Sequence, residues 1–233
     1  MIRIHVICEG QTEEMFINEV LSEFFQPKNI QLIPSLIGRP GHKGGNFKFD
    51  RFFHDVRTRL LGDTTSFCTT FFDFYALPEK FPGKVEANGC VGMTDKAKCL
   101  QNALVKQLHG KLGEEPLRRF IPYVQMYEFE ALLFSDPAGL ARGIDRSDLA
   151  TGLRKVRDAF VMPEEINNSI ETAPSKRIEN LYSAYDKPFH GSLAAIEIGL
   201  KTIRKECHRF DAWLSRLETL GLSGSNMTTH GVV

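Results

Sequence analysis

The sequence has no excess of either charge: 29 basic and 29 acidic side chains cancel. No global field therefore draws the chain toward nucleic acid or a membrane surface, and any polyanion site must be a local patch. There is no CxxC pair. Cys8, Cys68, Cys90, Cys99 and Cys207 are scattered and odd in number, which argues against a disulfide framework and a structural zinc site and for reduced thiols. No apolar run approaches the ~20 residues of a membrane span, and no basic segment followed by an apolar stretch comes after Met1. These absences lead us to expect a soluble cytoplasmic protein without a membrane partner. The histidines show no HxxxH spacing, and no Ser/His/Asp arrangement stands out. His5 and the single tryptophan, Trp213, read as packed residues. A glycine-rich phosphate loop is also missing from the place where many α/β proteins carry one: RIHVICEGQTEE puts Glu9 there.

What is present is an alternation of elements. Ile2 to Cys8 reads as a buried strand. Thr12 is expected to cap a helix with Glu13 and Glu14 in its first turn, where carboxylates suit the dipole. Ile30 to Ile37 and Ser66 to Phe72 read as further strands, separated by a helix carrying Phe49, Phe52, Phe53, Val56 and Leu60. Lys96 to Leu112 is expected to be helical, and Arg119 to Val124 to be a fourth strand. This order predicts an α/β fold with a mostly parallel sheet and helices on both faces, plus a helical C-terminal part. We divide the chain into an α/β core over 1–136, a helical extension packed on it over 137–222, and a disordered tail over 223–233. Within the extension, Leu193, Ile196, Leu200, Ile203, Cys207, Phe210, Leu214 and Leu217 recur in steps of three and four. The run predicts one long helix from a Ser192 cap to Gly221. It suits packing on the sheet, and it also suits a dimer seam in a homo-oligomer.

Ligands of open parallel sheets bind outside the carboxyl ends of the strands. Glu9 closes the first strand and Asp73 the third, while Glu128 and Glu130 follow the fourth in VQMYEFEALLFSD. In an extended segment, a two-residue spacing puts both carboxylates on one face; in a helix they diverge. Acids converging from separate strands repel one another unless a hard divalent cation neutralises them, and magnesium or manganese takes such oxygen ligands. Two ions roughly 3.5–4 Å apart can activate water and stabilise the leaving oxygen of a phosphodiester. Asp136, before Pro137, is expected to cap the next helix instead. For phosphate binding, Lys176 and Arg177 come first, Lys176 to neutralise the scissile group. Lys43 and Lys48, beside Gly44-Gly45 and with Arg39 and His42, form a second candidate set.

EGQTEE, FFDFYALPEKFPG and YVQMYEFEALLFSD, taken together and in this order, resemble the Toprim-like proteins catalogued as a domain of unknown function. That family includes RloG-like proteins and AriB of the PARIS anti-phage system. APSKRIENLY, from Ala173, also looks familial. The resemblance implies a Toprim core that binds magnesium and acts on phosphodiester bonds. Glu9 matches the acid after the first strand, and Asp73 matches the first acid of a DxD pair. Tyr75 stands where the second would fall, so either one ligand is missing or Glu128 or Glu130 supplies it. Implied as well are a nucleic-acid substrate, RNA or DNA, and an ABC-like ATPase partner that holds the nuclease silent. The rival readings are an interaction module without chemistry and a small-molecule metal-dependent phosphatase or phosphotransferase.

Overall fold

The computed structural model describes residues 1–37, 48–167 and 169–225, with the side chains of 222–225 excepted. The strands are β1 (Ile2–Cys8), β2 (Ile30–Leu36), β3 (Phe67–Asp73), β4 (Phe120–Ile121) and β5 (Val124–Gln125). All pairings are parallel, in the order β2-β1-β3-β4, with β5 pairing further along β3. This is the α/β architecture that the alternation predicts. Pro34 lies in β2, an edge strand, where a missing backbone donor costs least.

The fourth strand is shorter than expected, because Pro122 interrupts it and has no N–H for the ladder. Two threonines of β3 bridge the break. Thr69 Oγ1 donates to the Ile121 carbonyl at 2.5 Å and accepts from Trp213 Nε1 at 2.9 Å. Thr70 Oγ1 donates to the Tyr123 carbonyl at 2.6 Å and accepts from the Tyr123 amide at 2.9 Å. β3 therefore reaches Asp73 without losing its neighbour.

Side chains alternate between two cores. Ile4, Val6, Cys8 and Phe71 face the first helix and the C-terminal helices; Ile7, Cys68 and Phe72 face the Phe49–Gly62 and Met93–Leu112 helices. Trp213 stacks on Tyr123 at 4.4 Å within the first core. The extension thus packs directly on the sheet.

The single long C-terminal helix is not formed. The chain makes three helices, Lys187–Ile198, Leu200–Glu206 and His208–Ser225, broken at Gly199 with φ +79° and again at Cys207. The cap of the first is Asp186, which accepts from the Phe189 amide at 2.9 Å, whereas Ser192 is buried inside that helix. Ile203, Cys207, Phe210, Leu214 and Leu217 are buried in the chain's own core, so that part of the repeat is no dimer seam. Only Leu193 and Ile196, with Phe189, face outward. The helix continues through Ser225, past the expected end of the extension at 222; residues 226–233, where the tail is expected, lie outside the described residues.

Glu164 holds the last helix in place. Its buried carboxylate accepts from the Arg209 amide at 2.9 Å and the Phe210 amide at 3.0 Å, satisfying two donors that the helix start cannot pair internally. Glu164→Ala is expected to cost about 1–3 kcal/mol in urea unfolding, with Glu164→Gln recovering part of it. Equal stability of Glu164→Ala and wild type would remove this account.

Candidate acidic site at the strand ends

The ends of β1 and β3 are level: Cys8 pairs with Phe71, and the Glu9 amide donates to the Phe71 carbonyl at 3.3 Å. Glu9 and Asp73 therefore leave the sheet side by side. Glu9 is half-buried and Asp73 is buried. Burial raises the proton affinity of both carboxylates. That of Glu9 is pushed up to about 7, with the Asp73 amide and Lys187 opposing and Glu130 and Glu128 adding. That of Asp73 is pushed well above the usual carboxylate range by burial, then by Glu13, Glu9, Glu130 and Glu128.

Two residues beyond Gln125, Tyr127 takes a left-handed φ of +67°, uncommon for a bulky residue and costly unless the surroundings enforce it. Past this kink Glu128 is extended and a 3₁₀ helix, Phe129–Ser135, begins. The Glu128–Glu130 pair thus sits where extended chain turns into helix, and both carboxylates still reach one cation. Lys187 Nζ lies 3.3 Å from Glu128 Oε1 and 3.7 Å from Glu130 Oε2. Glu130 is 1% exposed, and burial lifts its pKa to about 7 against the pull of Lys187.

Two members of the cluster were not anticipated. From the sequence, Glu13 is expected only to suit the helix dipole, and Thr12 to be the cap. The N-cap is Gly10, whose amide donates to Glu13 Oε2 at 2.9 Å, so the Glu13 side chain folds back beside Glu9. Burial, then the Glu9 charge, lifts Glu13 to about 7. The available signal was the acidic-x-x-x-acidic spacing of Glu9 and Glu13 in EGQTE, directly after a strand. Lys187 gave no signal at all. Burial pulls its pKa down, but Glu130, Glu128 and Asp73 outweigh this, and the net shift is upward.

The remaining predicted positions lie elsewhere. Lys176 is exposed and pairs with Glu179 at 2.6 Å. Arg177 Nε donates to the Thr172 carbonyl at 2.8 Å, with its guanidinium over the Phe160 ring. What the APSKR stretch does bring to the cluster is backbone: the Ser175 amide, at the start of the Pro174–Leu181 helix, donates to Glu128 Oε2 at 2.8 Å. Lys48 is an exposed residue at the cap of the Phe49–Gly62 helix. Lys43, with Arg39, His42 and the two glycines, lies outside the described residues. Tyr75 packs against Tyr127 and Phe74 and donates its hydroxyl to Asn167, so it adds no ligand. Asp136 caps its helix as expected, accepting from the Ala138 amide at 3.0 Å.

Among the described residues, no three acids, histidines or cysteines close into a metal-ligand shell as placed. In kind, however, the donors fit a hard divalent cation. All are carboxylates, and two buried oxygens, Asp73 Oδ1 and Glu130 Oε1, have no hydrogen-bond partner. The hydroxyls of Tyr185 and Ser175 are likewise buried without partners; Glu130 and Glu128 both act on Tyr185, and the Ser175 backbone holds Glu128. Unpaired buried polar atoms are rare in folded proteins, and an ion or water in the site is a standard reason for them.

These features define a parallel α/β protein with an acid cluster at the mouths of its central strands. The chain matches Domain of unknown function (DUF4276) over residues 8–218 and belongs to that family. No curated protein and no solved structure matches it. Among the described residues, no helix is long and apolar enough to cross a membrane.

Proposed function

We propose that the protein is a metal-dependent nuclease, hydrolysing phosphodiester bonds with Mg²⁺ or Mn²⁺ held by Glu9, Asp73 and Glu130. The observation that carries this reading is the pair of orphaned buried oxygens, Asp73 Oδ1 and Glu130 Oε1, within a cluster of five acids. A bound divalent cation would supply charge stabilisation to the phosphate and lower the proton affinity of water. Hydrolysis adds water across one P–O bond, leaving a phosphate monoester and a free hydroxyl. Of the chain's own groups, Glu128 is pinned by Ser175 and keeps Lys187 at the cluster. Lys187 takes the role first given to Lys176, neutralising the scissile phosphate. Glu13, tied to the Gly10 amide, fixes the path of the chain behind Glu9.

A groove at the β4 edge supports a polymeric substrate. Two cavities of about 540 and 370 Å³ share Gln101, Pro122 and Arg216, and Lys106, His109, His208 and Arg209 add to their walls. No carboxylate lines either cavity. Lys106 and Arg216 add positive charge to these walls with no carboxylate among the lining residues, a local basic patch on a chain of zero net charge. In this reading the protein works in the cytoplasm, in anti-phage defence beside an ABC-like ATPase. The defence role and the ATPase rest on the resemblance to RloG-like proteins and AriB alone.

The test is calorimetric titration of Mg²⁺ and Mn²⁺ into wild type, Glu9→Gln and Asp73→Asn, with cleavage assays on mixed RNA and DNA. Both variants are expected to lose metal binding, and cleavage to fall by at least 100-fold. Wild type that binds neither ion at millimolar concentration would sink the proposal. It would favour the interaction-module reading, in which Lys187 alone neutralises the acids and Tyr75 marks lost chemistry.

A further inference from the structure

The five cysteines divide into two groups. Cys8, Cys68 and Cys207 are fully buried, whereas Cys90 and Cys99 are partly exposed. The two exposed ones meet, with Cys90 Sγ 2.7 Å from Cys99 Sγ. Cys90 ends the Lys84–Gly89 helix, and Cys99 lies on the Met93–Leu112 helix. Backbone packing holds these helices together. A Cβ on Gly83 would come within 2.7 Å of Ala103 Cβ and 2.8 Å of the Cys99 carbonyl, so only glycine allows the approach. The intervening chain reverses at Gly92, with φ +83°. The thiol contact is therefore set by how the two helices pack and by the turn between them. The nine-residue separation conceals it from any CxxC search.

We propose that Cys90 and Cys99 form an oxidisable dithiol, a modification site that a small disulfide such as glutathione disulfide converts to an intramolecular disulfide. One thiolate attacks the oxidant and expels the first glutathione thiolate, giving a mixed disulfide. The second thiolate attacks the protein-bound sulfur and expels the other glutathione. Two protein thiols lose two protons and two electrons, and the oxidant's S–S bond takes up both as two thiols. The other three cysteines are shielded and do not compete.

The new bond would staple the helix bearing Lys84 to the Met93–Leu112 helix. Lys84 is buried, donates to the Phe74 carbonyl and lies 3.4 Å over the Phe74 ring. Phe74 follows Asp73 directly. Oxidation would thus act on the segment that leaves β3 at the acid cluster, whether or not that cluster is catalytic.

The test uses the full chain, incubated with glutathione disulfide or with dithiothreitol. Intact mass, a non-reducing peptide map and thermal unfolding are read for each. The oxidised wild type is expected to lose two hydrogens, to carry one Cys90–Cys99 crosslink, and to melt on the order of 5 °C higher than its reduced form. Cys90→Ser and Cys99→Ser, each compared with and without oxidant, are expected to show neither crosslink nor shift. A stable glutathione adduct without a crosslink would overturn the proposal. So would a crosslink to any other cysteine, or an oxidised form that melts no higher.

Discussion

Lys187→Met is expected to bind Mg²⁺ or Mn²⁺ five- to fifty-fold more tightly than wild type, while its cleavage rate falls at least 100-fold. The opposite signs follow from where the ammonium sits. At 3.3 Å from Glu128 and 3.7 Å from Glu130, it occupies the position of the neutralising charge for the acid cluster. A divalent cation entering the cluster meets that charge as a repulsion. Removing it recovers an interaction worth about 1–2 kcal/mol at the dielectric of a half-exposed site. The same group is the cation closest to where a phosphate would meet the acids, and loss of one such donor costs ~10²–10³ in rate. Without metal, Lys187→Met should also be less stable by about 1–3 kcal/mol in urea at pH 7.5. The figure is reduced from that of a fully buried pair because the Lys187 side chain is 39% exposed. Calorimetry, single-turnover cleavage and urea unfolding check the three parts separately. Weaker metal binding in this variant would mean that Lys187 organises the acids rather than competing with the ion.

The central architecture was legible in the sequence because it depends on local pattern. Apolar runs of β1 and β3, broken by Glu9 and Asp73, fix both the strands and the positions where acids leave the sheet. Asp136 before Pro137 likewise announces its cap. The failures have physical causes. The heptad-like run persists past Gly199 and Cys207 because Ile203, Cys207, Phe210, Leu214 and Leu217 pack on a common core, whereas Leu193 and Ile196 at its start face outward. Periodicity of apolar residues reports the buried face and is blind to a left-handed break at one glycine. The fourth strand is expected too long because hydrophobic patterning runs on past Pro122 and does not register the ladder donor lost there, a break that Thr69 and Thr70 bridge with their hydroxyls. Lys176 looked like the phosphate ligand because a Lys-Arg pair at a helix start is conspicuous, but what that helix contributes is the Ser175 amide. Lys187, reaching the cluster across 59 residues from Glu128, is a purely tertiary fact.

The acid cluster also predicts an unusual pH dependence: without metal, stability should fall as pH rises from about 4.5 to 7. Glu9, Glu13 and Glu130 each have pKa values raised to about 7 in the folded chain, primarily by burial, and Asp73 is raised as well. An unfolded glutamate releases its proton near 4.3. Between these values the folded state binds more protons than the unfolded state, so the slope of unfolding free energy against pH is negative. The stabilisation is fully present below the unfolded pKa and is lost as pH rises through the folded value. A single proton held across that window corresponds to roughly 4 kcal/mol, and the acids act on one another, so the individual shifts do not add. Glu164, also raised by burial, contributes in the same direction from the start of the last helix, so the assignment requires a variant. Glu130→Gln removes one titrating member of the cluster and should flatten the decline in part, leaving the contributions of Glu9, Glu13, Asp73 and Glu164. A divalent cation binds the ionised carboxylates and releases the protons they hold. It should therefore raise the melting temperature strongly at pH 7.5 and barely at pH 5, reversing the slope. Thermal unfolding from pH 4.5 to 8, with EDTA and with 5–10 mM Mn²⁺, reads both effects. Stability that climbs through this window in EDTA would show that the acids enter the fold already ionised, compensated by Lys187 and backbone amides alone. The case for a cation at Asp73 and Glu130 would then lose its electrostatic basis.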